Sequence, residues 1–298
     1  MLGAIVGDIV GSVYEWNNIK TKDFPLFRDD CFFTDDTVMT VAVADAIMQG
    51  EAVTVGDGLD SYPSVRVAPK IFIDTLKKWG KLYPNSGYGI RFRRWLLSHD
   101  RKPYNSWGNG SAMRVSPCAW VVPVQQFQRL GFDGVLDLSE ASAAVTHDHE
   151  EGVKGAQATA AAIFYARYGR ADGDIDMCKN HIRRDLGRKG DVMFGYDLNQ
   201  TLDEIRPTYE FNETCQDTVP QAIIAFLEST GFEDAIRNAI SLGGDSDTLA
   251  AITGSIAEAA YGIPREIADI ALSYLDAPLL DVFERWRSFC TWYTPFAD

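Results

Sequence analysis

The sequence predicts an all-α protein that folds as one compact domain over residues 1–298. The hydrophobic pattern along most of the chain has the period of an α-helix. Patterns typical of β-strands are few and short, and the segment VVPV at 121–124 is interrupted by a proline. No repeat, low-complexity tract or proline-rich linker divides the chain, which favours a single domain.

The predicted helices begin close to the N-terminus. In residues 2–16 a glycine recurs at every fourth position, which gives this helix a narrow face for close packing. The next helix covers 35–49, with Thr34 as its N-cap. Polar loops are expected at 98–110 and 186–216, and loops of this length in compact domains are often functional. Further helices are predicted at 64–79, 111–120, 150–168, 217–230, 232–241, 246–261 and 277–290.

The composition narrows the class of protein. Hydrophobic residues make up 46% of the chain, which is ordinary globular usage, and no uninterrupted apolar stretch is long enough to cross a membrane. The net charge of −14 disfavours nucleic acids and anionic membranes as partners. Five scattered cysteines without a CxxC pair disfavour disulfides and zinc, so we expect a cytoplasmic protein. Nothing in the sequence indicates an oligomeric state.

Two acidic segments, each at the predicted start of a helix, carry the strongest functional signal. They are Thr34-Asp35-Asp36-Thr37 and Gly243-Gly244-Asp245-Ser246-Asp247-Thr248. Acidic residues are common at helix starts, where the helix dipole favours them. Here, however, neighbouring carboxylates repel one another, threonine hydroxyls accompany them, and the glycine pair permits close backbone approach. Because Mg²⁺ and Mn²⁺ prefer oxygen ligands, the two segments together predict a site for two such cations.

Six segments in order along the chain resemble the (ADP-ribosyl)hydrolase family, which contains dinitrogenase reductase-activating glycohydrolase and the ADP-ribosylserine hydrolases. They are GAIVGDIVGSVYE at 3–15, FTDDTVMTVAVADAI at 33–47, GNGSAMRVSP at 108–117, THDHEEGVKGA at 146–156, DTVPQAIIAFLES at 217–229 and LGGDSDTLAAITGSIAEAAYG at 242–262. The resemblance implies an orthogonal helical bundle with a centre of two divalent cations, Mg²⁺ or Mn²⁺. It implies metal ligands at Thr34, Asp35, Asp36, Asp245, Asp247 and Thr248.

The resemblance also implies the catalytic residues. In the serine-directed branch of the family, a glutamate at the position of Glu15 lies beside the metals and acts as acid, base or water-positioning group. A solvated carboxylate at a helix end is the ordinary alternative for a glutamate. We expect Asp36 to contribute to catalysis as well as to metal binding, and Asp8 to be structural.

A ligand-binding loop is expected before the predicted helix at 111–120. An Asn-Gly pair alone indicates only a turn, but backbone N–H groups at a glycine-rich helix start can hold a diphosphate. The resemblance implies this role, together with contacts to the distal ribose. It also makes His147 a ligand contact, whereas a zinc site at His147 and His149 lacks a third soft ligand. The loop consists of Ser106, Trp107, Gly108, Asn109 and Gly110.

The predicted function is metal-dependent hydrolysis of the bond between ADP-ribose and a modified protein side chain or a small conjugate. The leaving group could be arginine, serine, another side chain, a base or acetate, and the Glu15 motif favours an O-linked group such as serine. One alternative is a non-catalytic relative that binds ADP-ribose and metal, but no expected ligand residue is missing. A second alternative is an all-α enzyme that acts on Mg²⁺-bound diphosphates. It is disfavoured because Met39 stands where the aspartate-rich motif of such enzymes has an acidic residue.

Overall fold

The computed structural model describes residues 1–55, 62–122, 129–187, 194–291 and 293–297. This part of the chain is all-α, as predicted, apart from one antiparallel hairpin and a 3-10 helix at Ser116–Ala119. The strands are β1 (Glu51–Val55) and β2 (Tyr62–Arg66). The helices are α1 (Leu2–Gly11), α2 (Asp35–Met48), α3 (Pro69–Leu82), α4 (Ile90–Leu97), α5 (Gly110–Met113), α6 (Arg129–Ala144), α7 (Glu150–Asp172), α8 (Ile175–Gly187), α9 (Leu202–Ile205), α10 (Cys215–Leu227), α11 (Phe232–Ile240), α12 (Ser246–Tyr261), α13 (Arg265–Ser273) and α14 (Ala277–Phe289).

Most predicted helices are present, and several have different ends. The first ends at Gly11, so Glu15 lies in the turn that follows it. The helix predicted over 64–79 begins only at Pro69, because the preceding residues pair in the hairpin. The helix predicted over 111–120 is broken into α5 and the 3-10 helix, since Pro117 has no N–H group to donate to the carbonyl of Met113, four residues earlier.

The sequence pattern does not predict α4, α6, α8, α9 or α13. These helices bury few large side chains; α4 buries three residues and carries three arginines among its eight residues. The predicted 98–110 loop connects α4 to α5, and the predicted 186–216 loop contains α9. Residues 123–124 of the VVPV segment and 188–193 of the second loop lie outside the described residues. Among the described helices, none has both the length and the apolar character that crossing a membrane requires.

Helix α12 is buried along almost its whole length and packs against α1, α7, α10 and α11. The glycine face predicted for α1 is the surface that meets it. A Cβ atom at Gly3, Gly7 or Gly11 would overlap backbone atoms of α12 near Gly254, Ala250 and Asp247 respectively. The two helices therefore run antiparallel in close contact, and the end of α1 lies against the second acidic segment.

The other end of the α1–α12 pair holds a buried carboxylate. The Glu258 Oε2 atom accepts hydrogen bonds from the Met1 ammonium at 2.7 Å and the Gly3 N–H at 2.9 Å. Its Oε1 atom accepts a hydrogen bond from the Tyr293 hydroxyl at 2.6 Å. Both partners of the ion pair are fully buried. Glu258 therefore has a cation and hydrogen-bond donors supplied by the chain itself.

Candidate active site and metal centre

The first acidic segment is fixed by a carboxylate from α1. The Asp8 Oδ2 atom accepts hydrogen bonds from the N–H groups of Thr34 at 2.9 Å and Thr37 at 3.0 Å. Its Oδ1 atom accepts from the Thr34 hydroxyl at 2.6 Å. The Thr34 hydroxyl in turn accepts from the Asp36 N–H at 3.3 Å, which confirms the predicted N-cap. Asp8 thus satisfies donors that the start of α2 would otherwise leave unpaired.

The second acidic segment begins with a glycine pair in left-handed backbone conformation. Gly243 and Gly244 have φ of 69° and 75°, values that residues with a Cβ atom rarely adopt. The Asn18 side chain accepts from the Gly244 N–H at 2.7 Å and donates to the Gly244 carbonyl at 2.9 Å. The same amide donates to the carbonyl of Glu15 at 2.8 Å. Asn18 therefore ties the turn that carries Glu15 to the loop before Asp245.

The two acidic segments meet, although about two hundred residues separate them in sequence. The Thr248 hydroxyl donates to Asp36 Oδ2 at 3.2 Å. Carboxylate oxygens of Asp8, Asp36 and Asp247 lie within 4.8 Å of one another, and so do those of Glu15, Asp245 and Asp247. Asp247 belongs to both groups, which makes it the carboxylate that joins them.

Burial and mutual repulsion make these carboxylates hard to ionise. Burial raises the pKa of Asp36 well above its usual range, and the negative charge of Asp247 adds to the rise. Burial and the negative charge of a neighbouring aspartate also raise the pKa values of Asp35 and Asp247. Burial raises the pKa of Asp245 to about 7 and that of Glu15 to about 8. Without a bound cation, these carboxylates therefore favour their protonated forms, because their surroundings do not stabilise the full negative charge.

The residues of this centre fit divalent cations. Within the described ranges, no Lys or Arg side chain forms an ion pair with any of these carboxylates. The Asp36 Oδ1 atom is buried and has no hydrogen-bond partner. Buried carboxylates without a partner are costly, and the donor set consists of carboxylate and hydroxyl oxygens, which hard cations prefer. Asp36 Oδ1 is the atom most clearly left for a metal ion.

The loop at 106–110 lies against the second acidic segment. Asn109 donates its side-chain amide to Asp245 Oδ2 at 2.7 Å and its backbone N–H to the Glu213 carbonyl at 2.8 Å. The Gly108 N–H is taken by the Ser106 hydroxyl at 3.2 Å. These bonds shape the loop, so the N–H groups of Gly108 and Asn109 are already used within the protein.

His147 faces this loop and is neutral. Burial lowers its pKa well below the usual range, and the nearby guanidinium groups of Arg114 and Arg91 act in the same direction. The Thr146 hydroxyl accepts from Arg114 at 2.9 Å and lies 2.8 Å from His147 Nδ1, to which it can donate its hydrogen. That arrangement leaves the ring hydrogen on Nε2, the nitrogen closest to Gly110. His149, by contrast, caps the start of α7.

One cleft of about 820 Å³ contains every site residue predicted from the sequence. Asp35 lines the cleft but belongs to neither of the close carboxylate groups. Glu15 belongs to one of these groups, and Asp8, which is fully buried and does not line the cleft, belongs to the other. Sequence reasoning also missed Glu213, Arg91 and the segment at 86–89, all of which line the cleft. Only the positive charge of Arg91 and the glycines at 87 and 89 could have indicated them. The predicted residues that line the cleft are Glu15, Thr34, Asp35, Asp36, Ser106, Trp107, Gly108, Asn109, Gly110, His147, Asp245, Asp247 and Thr248.

Sequence comparison relates almost the whole chain to known proteins. The family model described as ADP-ribosylglycohydrolase matches residues 1–282. ADP-ribosylhydrolase ARH3 of Homo sapiens is 27% identical over 88% of this chain and 84% of its own length. ADP-ribosylarginine hydrolase Tri1 of Pseudomonas putida is 26% identical over 88% of this chain and 70% of its own length. Relatives with both names therefore match the chain to a similar degree.

The fold also has a counterpart among solved structures. A chain described as an ADP-ribosylglycohydrolase-related protein complex superposes with a TM-score of 0.57. The match covers 92% of this chain and 95% of that chain at 22% sequence identity. At this identity the likeness concerns the fold, and it agrees with the orthogonal helical architecture expected from the sequence.

Proposed function

The chain belongs to the ADP-ribosylglycohydrolase family, and we propose that it is a metal-dependent hydrolase that releases ADP-ribose from a conjugated protein side chain or small molecule. We further propose that residues 1–298 form a single catalytic domain. We also propose a cytoplasmic location, which the sequence supports because its five cysteines are far apart and form no CxxC pair. The observation that carries the proposal is the pair of carboxylate groups joined at Asp247 in the cleft.

Two divalent cations, Mg²⁺ or Mn²⁺, would be held by both acidic segments. Asp36, through its unpartnered Oδ1 atom, and Asp247, which belongs to both carboxylate groups, are the central ligands. When bound, such cations supply Lewis-acid chemistry that orients the hydroxyls of a ribose and makes a water more acidic. Asp8 accepts three hydrogen bonds from Thr34 and Thr37 at the start of α2 and would position these ligands. The remaining ligands are Thr34, Asp35, Asp245 and Thr248.

Glu15 would transfer the proton in the reaction. It is half-buried, it lies within 4.8 Å of Asp245 and Asp247, and burial raises its pKa to about 8. A carboxylate with a raised pKa can take a proton from water and return it to a departing group near neutral pH. Asp36 would help to hold the ribose in place through its position at the centre of the site.

The ADP part of the substrate would lie along the 106–110 loop. Because Gly108 and Asn109 use their N–H groups within the protein, we assign this contact to the N–H groups of Gly110 and Ser111, the first two residues of α5, which have no acceptor inside that helix. His147 adds a neutral N–H donor at Nε2, suited to a phosphate or ribose oxygen. Trp107, which is partly exposed in the cleft, would form a wall for the bound nucleotide.

The proposal is tested by measuring ADP-ribose release from a panel of arginine-, serine- and base-linked ADP-ribose conjugates. We expect turnover with Mg²⁺ or Mn²⁺ and its loss in excess EDTA, with recovery when metal is restored. Equal turnover in EDTA would contradict the metal role. Calorimetric binding of ADP-ribose without turnover of any conjugate would instead favour a non-catalytic binding protein.

A further inference from the structure

The positive charge of the chain is concentrated in one segment. Residues 69–102, which run from the start of α3 to just beyond α4, contain nine of the 28 lysines and arginines but only two of the 42 acidic residues. The segment thus has a net charge of +7, and since the whole chain carries −14, the other residues carry −21. A positive patch on an otherwise acidic protein attracts anionic groups to that one place.

Several cations of this segment lack a carboxylate partner. Lys78 and Arg101 each lie within 3.0 Å of a carboxylate oxygen. Arg93, Arg94 and Lys81 are exposed, and none of them forms an ion pair within the described part of the chain. Because the protein does not neutralise these three charges, they remain available to an anion from outside.

The exposed side of α4 combines arginines with aliphatic side chains. Ile90 and Leu97 are 73% and 63% exposed, and their spacing of seven residues places them on one side of the helix, two turns apart. Arg93 and Arg94 come three and four residues after Ile90, so they lie on the same side. We name this side of α4 the basic face. It offers charged and apolar contacts together, as protein interfaces do.

The basic face begins at the cleft and ends at a second depression. Ile90 and Arg91 line the cleft. Helix α4 has eight residues and is therefore about 12 Å long. Beyond its last residue lies a depression of about 310 Å³, and four of its seven lining residues are Lys or Arg, including Lys77 and Lys81. An extended peptide advances about 3.3 Å per residue, so about four residues leaving the cleft would cover the basic face.

We propose that the basic face binds an acidic segment next to the modified residue of a target protein. This inference rests on the proposed function and specifies the kind of protein on which the enzyme acts. An acidic segment supplies carboxylates to Arg93 and Arg94, and its apolar atoms can contact Ile90 and Leu97.

Two observations favour a protein segment over other polyanions. Single-stranded nucleic acids are held by stacking on aromatic rings, but the large apolar side chains exposed in residues 69–102 are the aliphatic Leu82, Ile90 and Leu97. The charge of −21 on the rest of the chain would also repel a long nucleic acid or an anionic membrane. A short acidic segment that stays on the basic face avoids most of this repulsion.

The first test measures hydrolysis of matched ADP-ribosylated peptides that have glutamate, lysine or serine on both sides of the modified residue. For the wild-type protein we expect kcat/KM to be about tenfold higher on the glutamate peptide than on the lysine peptide, mainly through a lower KM. High salt should reduce this preference, because exposed charges are screened. Arg93→Glu/Arg94→Glu should reverse the preference. The same variant should hydrolyse a conjugate without a peptide at the wild-type rate.

The matched control is Arg183→Glu/Arg184→Glu. These arginines are also adjacent and exposed, but they lie on α8, none of whose described residues lines the cleft. The control makes the same change in net charge and should keep the preference for the glutamate peptide. An equal loss of preference in the two double variants would overturn the assignment, because total charge rather than the basic face would then be responsible. A preference that survives Arg93→Glu/Arg94→Glu would overturn it as well.

The second test needs no turnover. Fluorescence anisotropy measures binding of the labelled, unmodified glutamate peptide, which should be about tenfold weaker in Arg93→Glu/Arg94→Glu than in the wild type. Equal binding of the glutamate and lysine peptides would overturn the inference. Tighter binding of a single-stranded oligonucleotide of the same charge would overturn it in favour of a nucleic acid. Self-association of the wild type that blocks the peptide would overturn it in favour of a second copy of the chain.

The two tests separate this inference from the proposed function. Turnover of the peptides without a preference for glutamate would refute the role of the basic face and leave the hydrolase function intact. No ADP-ribose release from any conjugate would refute the proposed function. In that case the anisotropy measurement would still decide whether the basic face binds an acidic segment.

Discussion

Helix α12 carries buried carboxylates near both ends, and the fold treats the two ends differently. Near its C-terminal end, Glu258 is paired with the Met1 ammonium and accepts bonds from Gly3 and Tyr293. Near its N-terminal end, Asp247 lies among other acidic side chains, and no cationic side chain of the described residues pairs with it. The same helix thus contains one acidic site that is complete, because the chain supplies its counter-charge and hydrogen-bond donors, and one that is incomplete, because it does not.

The difference shows how to separate a structural carboxylate from a functional one. Burial of a charge is tolerated when the chain supplies the opposite charge and donors, as it does at Glu258. An aspartate group that lacks both is destabilising unless something from outside the chain completes it. The incomplete end of α12 is also the end that lines the cleft, which is why we assign the metal ions there.

The largest effect is expected for activity at the incomplete end. Asp247→Asn removes the carboxylate shared by both groups and should lower turnover of an ADP-ribose conjugate by about 10³-fold, since a metal supplies several kcal/mol of transition-state stabilisation. The measurement is kcat/KM at saturating Mg²⁺ or Mn²⁺. Asp269→Asn, on the exposed surface of α13, is the matched control. Wild-type turnover in Asp247→Asn would refute the shared-carboxylate site.

At the complete end, the effect should be on stability. Glu258→Gln leaves the buried Met1 ammonium without its counter-charge and should lower the free energy of unfolding by about 3–5 kcal/mol. In the presence of a chelator, Asp247→Asn should instead raise the free energy of unfolding by about 1 kcal/mol, because the substitution relieves repulsion among the clustered carboxylates. Urea unfolding of both variants measures this, with exposed Glu266→Gln as control. If both variants destabilise the metal-free protein equally, the contrast between the ends is wrong.

The pH dependence of stability should differ with and without metal. The ordinary pKa of Asp245 is 3.8, and in the folded protein burial raises it to about 7. The folded protein therefore holds protons that the unfolded chain releases, and the resulting stability is lost as pH rises from about 4 through 7. In EDTA, we expect the free energy of unfolding to fall over this range. With saturating Mg²⁺ the fall should disappear, since cations replace the protons.

The Met1 ammonium must be separated from this effect. Burial lowers its pKa, so its own contribution to stability increases with pH and opposes that of the aspartates. Because Asp247→Asn leaves the Met1 pair intact, the difference between this variant and the wild type reports the acidic site alone. A difference that does not change with pH would contradict the account of raised pKa values.

A smaller effect is expected at Asn18, which fixes the Glu15 turn to the second acidic segment. Asn18→Ala removes its bonds to Glu15 and Gly244 and should lower kcat about tenfold, because proton transfer depends on the exact position of Glu15. The order of preference among conjugates should stay the same. Asn17→Ala, an exposed neighbour, should have no effect. A change at Asn17 as large as that at Asn18 would show that the turn is merely sensitive to substitution.

The sequence predicts the acidic segments well because each of them is local. Thr34 caps α2 whatever the rest of the chain does, and two glycines before Asp245 indicate an unusual backbone by themselves. Asp8 joins the carboxylate group of Asp36 and Asp247 because α1 lies close to α12. No local sequence pattern predicts that contact. Glu213 enters the cleft through a backbone pairing of its loop with Asn109, so nothing in its own neighbourhood indicates a site.

The elements that the sequence missed share a physical cause. Helix α4 is rich in arginine and shows only three buried positions, so its helical pattern is short. The hairpin of β1 and β2 contains few residues, and its pairing depends on contacts between segments. By contrast, α12 is buried on all sides, and its long apolar pattern predicts it with the same boundaries that the structure has.

The glycine face of α1 has a consequence for mutational tolerance. At Gly7 even a methyl group would overlap the backbone of α12, so the helices would have to separate. Separation would also move Asp8 away from the start of α2 and loosen the grouping of the carboxylates. A Gly7→Ala variant should therefore be temperature-sensitive, and a higher concentration of metal should partly restore its activity. This is expected although residue 7 is not itself one of the proposed metal ligands.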